Sequence, residues 1–212
     1  MTQGMIGMRI VRQRFTLAAL AAVVAATASC GDVVRYDHAS AYVLIDSLTA
    51  ARGNSQTFGS TLNSDVLTLI TTPAPCTTVA PCPTVFNDVG SVALRLAMKN
   101  YLVSPSFNNE VTITRYHVSY RRADGRNTQG VDVPYAFDGS VTGTVPATGD
   151  LNLGFELVRV VAKQEAPLRQ LVNSPTILSV IADVTFYGRD RVGNDVSVTG
   201  SITIEFGNFG DF

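Results

Sequence analysis

Apolar and polar positions alternate most regularly between residues 177 and 206. In the first half Leu178, Val180, Ala182, Val184 and Phe186 alternate with Ser179, Ile181, Asp183, Thr185 and Tyr187. In the second, Val196, Val198, Ile202 and Ile204 alternate with Ser197, Thr199, Ser201, Thr203 and Glu205. A period of two with one apolar face describes a half-buried strand. Between the halves, residues 189–195 (RDRVGND) supply the Gly, Asn and Asp of a turn. The stretch predicts one long β-hairpin, whose apolar face needs a second sheet to cover it.

The same period recurs upstream. Strands are expected over residues 41–48, 66–71, 89–99, 111–122, 140–145 and 151–161. Residues 50–65 are polar and rich in Gly, Ser, Asn and Thr, which reads as loop. Residues 131–137 alternate as Val131, Val133, Tyr135 and Phe137, and Pro134 marks them as an edge strand. Two strands change phase midway. In residues 111–122 the apolar set moves from Val111 and Ile113 to Tyr116, Val118 and Tyr120, which predicts a bulge near Thr114–Arg115. A similar switch falls near Leu157–Val158. Only residues 162–173 (AKQEAPLRQLVN) have helical composition. Pro167 limits them to a turn or two, so one short helical turn is expected near 162–171. The chain thus predicts an all-β, antiparallel sandwich of about seven to nine strands in a single domain, residues 41–212.

Composition supports this picture. Of 212 residues, 46% are hydrophobic, enough for one substantial core, and Trp is absent. The net charge of -1 hides an asymmetry, because Arg9, Arg12 and Arg14 all lie at the start. Without them 13 basic residues face 17 acidic ones, near -4. A mildly acidic body argues against nucleic acid, which requires a basic footprint.

Those arginines precede an apolar run, FTLAALAAVVAA (residues 15–26), too short to span a membrane at about 20 residues. Thr27-Ala28-Ser29-Cys30 follows. This resembles the lipobox of bacterial lipoproteins, with Thr27 standing where Leu is usual. The resemblance implies a lipoprotein signal peptide over residues 1–29, acylation of Cys30 and a tether over residues 30–40. Export and a membrane anchor follow. Gly31 rather than Asp after the cysteine points to the outer membrane, on its periplasmic or cell-surface face. The alternative is an ordinary secretory signal cleaved near Ala28 or Ser29.

A second resemblance covers about residues 89–206. Tyr116-His117-Val118-Ser119-Tyr120 resembles the third strand of fibronectin type III domains. The run Val180 to Phe186, followed by Arg189-Asp190 and Gly193-Asn194, resembles the F strand and F–G turn of bacterial immunoglobulin-like domains. It implies an immunoglobulin-like sandwich and no particular function. The Trp of the second strand is missing, with Leu94 and Leu96 instead, and no Cys pair bridges the sheets. Aliphatics and Phe alone are expected to hold the core.

Candidate chemistry is sparse. Four of nine prolines, Pro73, Pro75, Pro81 and Pro83, surround Cys76 and Cys82. In an exported chain the two cysteines are expected to form a disulfide. A metal site lacks nearby His or Cys, and a redox pair would favour C-x-x-C. No G-x-S-x-G, H-E-x-x-H, Walker or dinucleotide motif occurs, so neither an enzyme nor a cofactor is expected. His117 is a lone strand residue. Asp190, Asn194 and Asp195 are weak Ca²⁺ candidates, because Arg189 and Arg191 interleave them and turn chemistry explains them as well. Arg115, Arg121, Arg122 and Arg126 form a basic cluster, read as solvated charge; Arg121, Arg122 and Arg126 are expected at the end opposite Arg189 and Arg191.

Three functions compete. The first is a lipid-anchored, extracytoplasmic, non-catalytic binding or structural module, meeting a protein or glycan partner through the Pro/Cys-rich loop. The second is an accessory subunit of an envelope assembly, docking through a sheet edge such as residues 131–137. The third, an extracytoplasmic hydrolase, would need a cleft of convergent carboxylates.

Overall fold

The computed structural model describes residues 38–209; the expected signal peptide, Cys30 and most of the expected tether lie outside the described residues. Among the described residues ten strands form, eight of them in two facing sheets. The first sheet has the order β1 (Ala41–Ala51), β5 (Asp88–Met98), β8 (Asp150–Val158), all antiparallel. The second has the order β2 (Thr61–Asp65), β10 (Asp195–Gly207), β9 (Leu178–Asp190), β6 (Val111–Arg121), β7 (Phe137–Val145). A separate small hairpin pairs β3 (Thr68–Ile70) with β4 (Cys82–Thr84). Between β8 and β9 lie α1 (Val160–Gln164) and a 3₁₀ turn over Leu168–Asn173. This is an all-β, immunoglobulin-like sandwich.

The hairpin of β9 and β10 forms the middle of the larger sheet, with register from Asp195↔Arg189 to Phe206↔Leu178. In β9 every second residue from Leu178 to Asp190 is buried. Strict alternation fixes register, because a one-residue slip would turn that whole set to solvent. β6 flanks β9 as the F–G resemblance implies.

Both phase switches are bulges. The pairing of β6 with each neighbour shifts between Ile113 and Arg115. The two intervening residues are exposed, while Ile113 and Tyr116 on either side point inward. In β8, Asp88 faces Val158 and Val89 faces Glu156, so Leu157 is extra, and Leu157 and Val158 are both buried.

The core contains more than aliphatics and Phe. Tyr116 packs edge-on to Phe155 (5.3 Å between centroids) and to Phe137 (6.2 Å), and Phe155 packs edge-on to Phe186 (5.2 Å). The Tyr116 hydroxyl accepts from the Glu156 N–H (3.2 Å), and the Tyr120 hydroxyl donates to the Leu157 carbonyl (2.7 Å). Burial, and then the Asp88 carboxylate, hold the Tyr120 hydroxyl well above its ordinary pKa, so it remains a donor. Tyrosine enters a core when its hydroxyl finds such a partner. Gly90 makes room for this cluster: a Cβ there would overlap the Phe155 ring, its cross-strand partner.

Three expectations are corrected. Residues 61–65 are a strand rather than loop; β2 pairs in parallel with β10 from Thr61↔Thr203 to Asp65↔Gly207. Backbone pairing along the β10 edge holds them, since Leu62 is their sole apolar residue. The run 66–71 is not one strand: Val66 is fully buried and β3 begins only at Thr68. Residues 131–137 are not an edge strand. The Thr128 carbonyl gathers the N–H groups of Val131, Asp132 and Val133 into a turn, and Val133 is buried while Val131 and Tyr135 are exposed. Pro134 contributes no N–H to a ladder. The edge is β7 instead.

The sandwich has two distinct ends. At one, Ala41 faces Met98, Val111 faces Asp190 and Val145, and Ser40 joins the loop before β6. There the Ser40 carbonyl accepts from the Lys99 N–H (3.0 Å), and its hydroxyl accepts from Asn109 Nδ2 (2.6 Å). At the other, Ala51 faces Val89, Arg121 faces Ile181, and β2 ends beside Gly207.

Candidate functional site

The end remote from Ser40 carries the proline-rich excursion of residues 66–87. Its ladder is short, Thr68↔Thr84, Leu69↔Pro83 and Ile70↔Cys82. Proline supplies no donor at position 83, so the pairing alone is weak. Cys76 and Cys82 form a disulfide, with their Cα atoms 5.3 Å apart. Inside its ring the Thr77 N–H donates to the Ala80 carbonyl (3.0 Å), and the Ala80 N–H donates to Thr77 Oγ1 (3.0 Å). The tip is solvated: Val79 is 93% exposed.

The excursion stands on a buried charged base. Asp65 precedes it and Asp88 follows it. Lys163, from α1, donates through Nζ to the Asp65 carbonyl (2.8 Å) and to Asp88 Oδ1 (2.9 Å). Asp88 Oδ1 also accepts from the Gly53 N–H (2.8 Å), and Oδ2 accepts from the Ser64 hydroxyl (2.5 Å). The side chains of Lys163 and Asp88 are 1% and 0% exposed. Charges so far from water persist only when paired and hydrogen-bonded. One ammonium group thus ties both feet of the excursion to the strand–helix junction. Around Asp65 the N–H groups of Leu67 and Phe209 and the Thr68 hydroxyl reach its carboxylate, each at 3.4 Å. The Val66 N–H donates to the Gly207 carbonyl (3.0 Å). The arrangement sets the orientation of a projecting, cross-linked loop.

The cysteine pair was legible in the sequence; its base was not. Lys163 and Asp88 lie 75 positions apart and belong to no motif. No local pattern marks Lys163, the one buried residue of the short helix VVAKQ.

The other predicted residues lie elsewhere. Asp190 closes its own turn: Oδ1 accepts from the Val192 and Asn194 N–H groups (3.1 and 2.7 Å), and Oδ2 from Asn194 Nδ2 (2.7 Å). Asp195 accepts from Arg189 (2.8 Å). These carboxylates are occupied by the turn and by arginine. His117 Nδ1 meets Asp138 Oδ1 at 3.1 Å on an exposed face, where Arg115 also approaches Asp138 (3.5 Å) and stacks on Tyr187 (3.9 Å).

The arginines separate between the two ends as expected. Arg121 pairs with Asp183 (2.7 Å), Arg122 and Arg126 both clasp Asp124 (2.6 and 3.1 Å), and Arg191 pairs with Glu110 (2.7 Å) at the Ser40 end. Burial would raise the Asp183 carboxyl, but hydrogen bonds from Arg121 and Ser201 outweigh it and leave the pKa lowered. Positive charge that is already matched makes a poor anion site.

A depression of about 190 Å³ lies between Tyr135, Phe137, Arg159, Val161 and Glu165. Small-molecule sites usually occupy about 300–1,000 Å³. The Arg159 guanidinium covers the Phe137 ring (3.9 Å), donates to the Asp138 carbonyl (2.7 Å) and approaches Glu156 (3.5 Å). Among the described residues no helix is long and apolar enough to cross a membrane. No protein-family model matches the chain, and no curated protein matches it.

Proposed function

We propose that this chain is a lipid-anchored, extracytoplasmic binding module of a bacterial envelope, non-catalytic, held by Cys30 and meeting its partner through residues 66–87. The observation that carries the reading is the placement of the disulfide loop. It is exposed, cross-linked, clamped at both feet by Lys163, and sited at the end of the sandwich remote from Ser40. A loop fixed in this way loses little conformational freedom on binding, which favours affinity. Export supports the oxidised cysteines, and the acidic residue balance is compatible with a partner other than nucleic acid. The residue after Cys30 is Gly, which favours the outer membrane.

A photoreactive amino acid in place of Val79 tests this in intact cells. A discrete cross-linked adduct is expected from position 79, lost when Cys76 and Cys82 are both replaced by Ser. Efficient labelling without any adduct would remove the loop from the binding surface.

A second reading, an accessory subunit docking through a sheet edge, is favoured by β7. Residues 139–145 (GSVTGTV) form the outer edge of the larger sheet without charge or proline. Natural edges are commonly protected by such residues. If β7 docks, Thr142→Lys releases the chain from a complex that survives mild detergent. A chain that runs as a monomer before the substitution counts against this reading.

A further inference from the structure

Twelve large apolar side chains are exposed among the described residues, and six of them gather at the Ser40 end: Tyr42, Tyr101, Leu102, Val103, Phe107 and Val192. Tyr101, Leu102 and Val103 are 89%, 78% and 49% exposed on the loop between β5 and β6, and Phe107 on the same loop is 62% exposed. Val192, at 69%, tops the β9–β10 turn. The two loops are joined: the Arg191 guanidinium lies 3.6 Å over the Phe107 ring and donates to Glu110 Oε2 through Nε (2.9 Å) and Nη2 (2.7 Å). Residues 99–109 (KNYLVSPSFNN) contain no acid. On the neighbouring turn Asp190 is folded inward at 7% exposure. A concentration of apolar side chains of this kind marks an interaction surface.

The chain itself indicates what covers it. Ser40 is hydrogen-bonded to this same loop, through Lys99 and Asn109. Only nine residues lie between it and Cys30, a contour of at most about 35 Å over ten steps. An acylated Cys30 therefore holds this end, where the tether joins the sandwich, nearest its point of attachment in the bilayer. We propose that the loops around Leu102 and Val192 lie against the lipid surface, with their apolar side chains in the headgroup boundary. This rests on the reading of Cys30 as an acylated anchor. The side chains suit that boundary. Tyrosine favours a site with one wet and one apolar side, and aliphatic residues enter the outer acyl region by about 5–10 Å. The charges on these two loops, Arg191 with Glu110, Arg189 with Asp195 and Lys99 beside the Tyr42 ring (5.2 Å), sit at the level of the polar headgroups, where they stay hydrated. Contact at two points, lipid and loops, orients the domain and directs the disulfide loop away from the membrane.

The chain has no tryptophan, so a single introduced indole reports one place. The acylated full-length chain is reconstituted in phosphatidylethanolamine/phosphatidylglycerol vesicles whose acyl chains carry bromine near the headgroup. The Leu102→Trp and Val192→Trp variants are compared with Val79→Trp, at the far end. The first two are expected to lose most of their emission to bromine quenching, and Val79→Trp to keep it. If the chain floats with the vesicles while all three variants emit alike, this inference is overturned and the anchor stands. A blue shift at Leu102→Trp without quenching would mean a protein cover, such as a second copy, and would also overturn it. A full-length chain that does not float at all fails the anchor reading, and this inference falls with it.

Discussion

Replacing Lys163 with alanine is expected to destabilise the chain by about 3–5 kcal/mol, the usual cost of leaving one member of a buried ion pair unpartnered. Total stabilities are about 5–15 kcal/mol, so this is a large fraction. The carboxylate left behind, Asp88, is 0% exposed and would keep only the Gly53 N–H and the Ser64 hydroxyl. The Asp65 carbonyl would lose the Lys163 ammonium as well. Lys163→Met separates charge from volume, since it retains a long apolar stem and should destabilise nearly as much. Adding Asp88→Asn to Lys163→Met removes the stranded charge but keeps an acceptor for Gly53, so most of the loss should return. Urea unfolding followed by circular dichroism measures all three. A loss below about 1 kcal/mol in Lys163→Ala, the scale of an exposed pair, would mean that the pair is hydrated in solution. Residues 66–87 should also become sensitive to protease before the sheets do, because their feet are what Lys163 holds.

That pair marks the limit of what the sequence could disclose. The β9–β10 hairpin was legible because thirteen-residue strands repeat one pattern, and burial of one face enforces it. The bulges were legible for the same reason, since a single extra residue in a strand is what moves its apolar face out of phase, as between Ile113 and Tyr116. β2 was not, because Thr61–Asp65 is almost wholly polar and is recruited by the backbone of β10 rather than by its own side chains. Residues 131–137 misled because Val131, Val133 and Tyr135 alternate without forming a ladder. The disulfide was legible as a cysteine pair within a proline-rich run of a chain expected to be exported. The Lys163–Asp88 contact arises only when α1 folds over the far end of the sandwich, and no local pattern encodes a contact across that separation. The apolar loops at the Ser40 end were equally hidden, because the loops that carry Leu102 and Val192 come to the same end of the sandwich only through the sheet register.

Cys30→Ser is expected to move the chain from the membrane fraction to the soluble extracytoplasmic fraction and to abolish acylation. The effect should be nearly complete. Each buried methylene contributes about 0.8 kcal/mol, and two or more acyl chains anchor where a single chain binds only reversibly. The exposed side chains around Leu102 add an association that brief washing should remove. Fractionation and metabolic labelling with a fatty acid measure both parts. Unchanged partitioning with unchanged mass would mean that the cysteine after Thr27-Ala28-Ser29 is not a lipid carrier.

If the chain is an exported, lipid-held sandwich with an oxidised loop at its far end, one measurement reaches both the anchor and the loop. The mature chain is recovered from membranes, alkylated without reductant, and its intact mass and proteolytic peptides are determined. The prediction is a chain that begins at Cys30 carrying acyl groups, with the Cys76 and Cys82 peptides linked and unalkylated. A chain beginning at an unmodified residue, or one with Cys76 and Cys82 both alkylated, would contradict it.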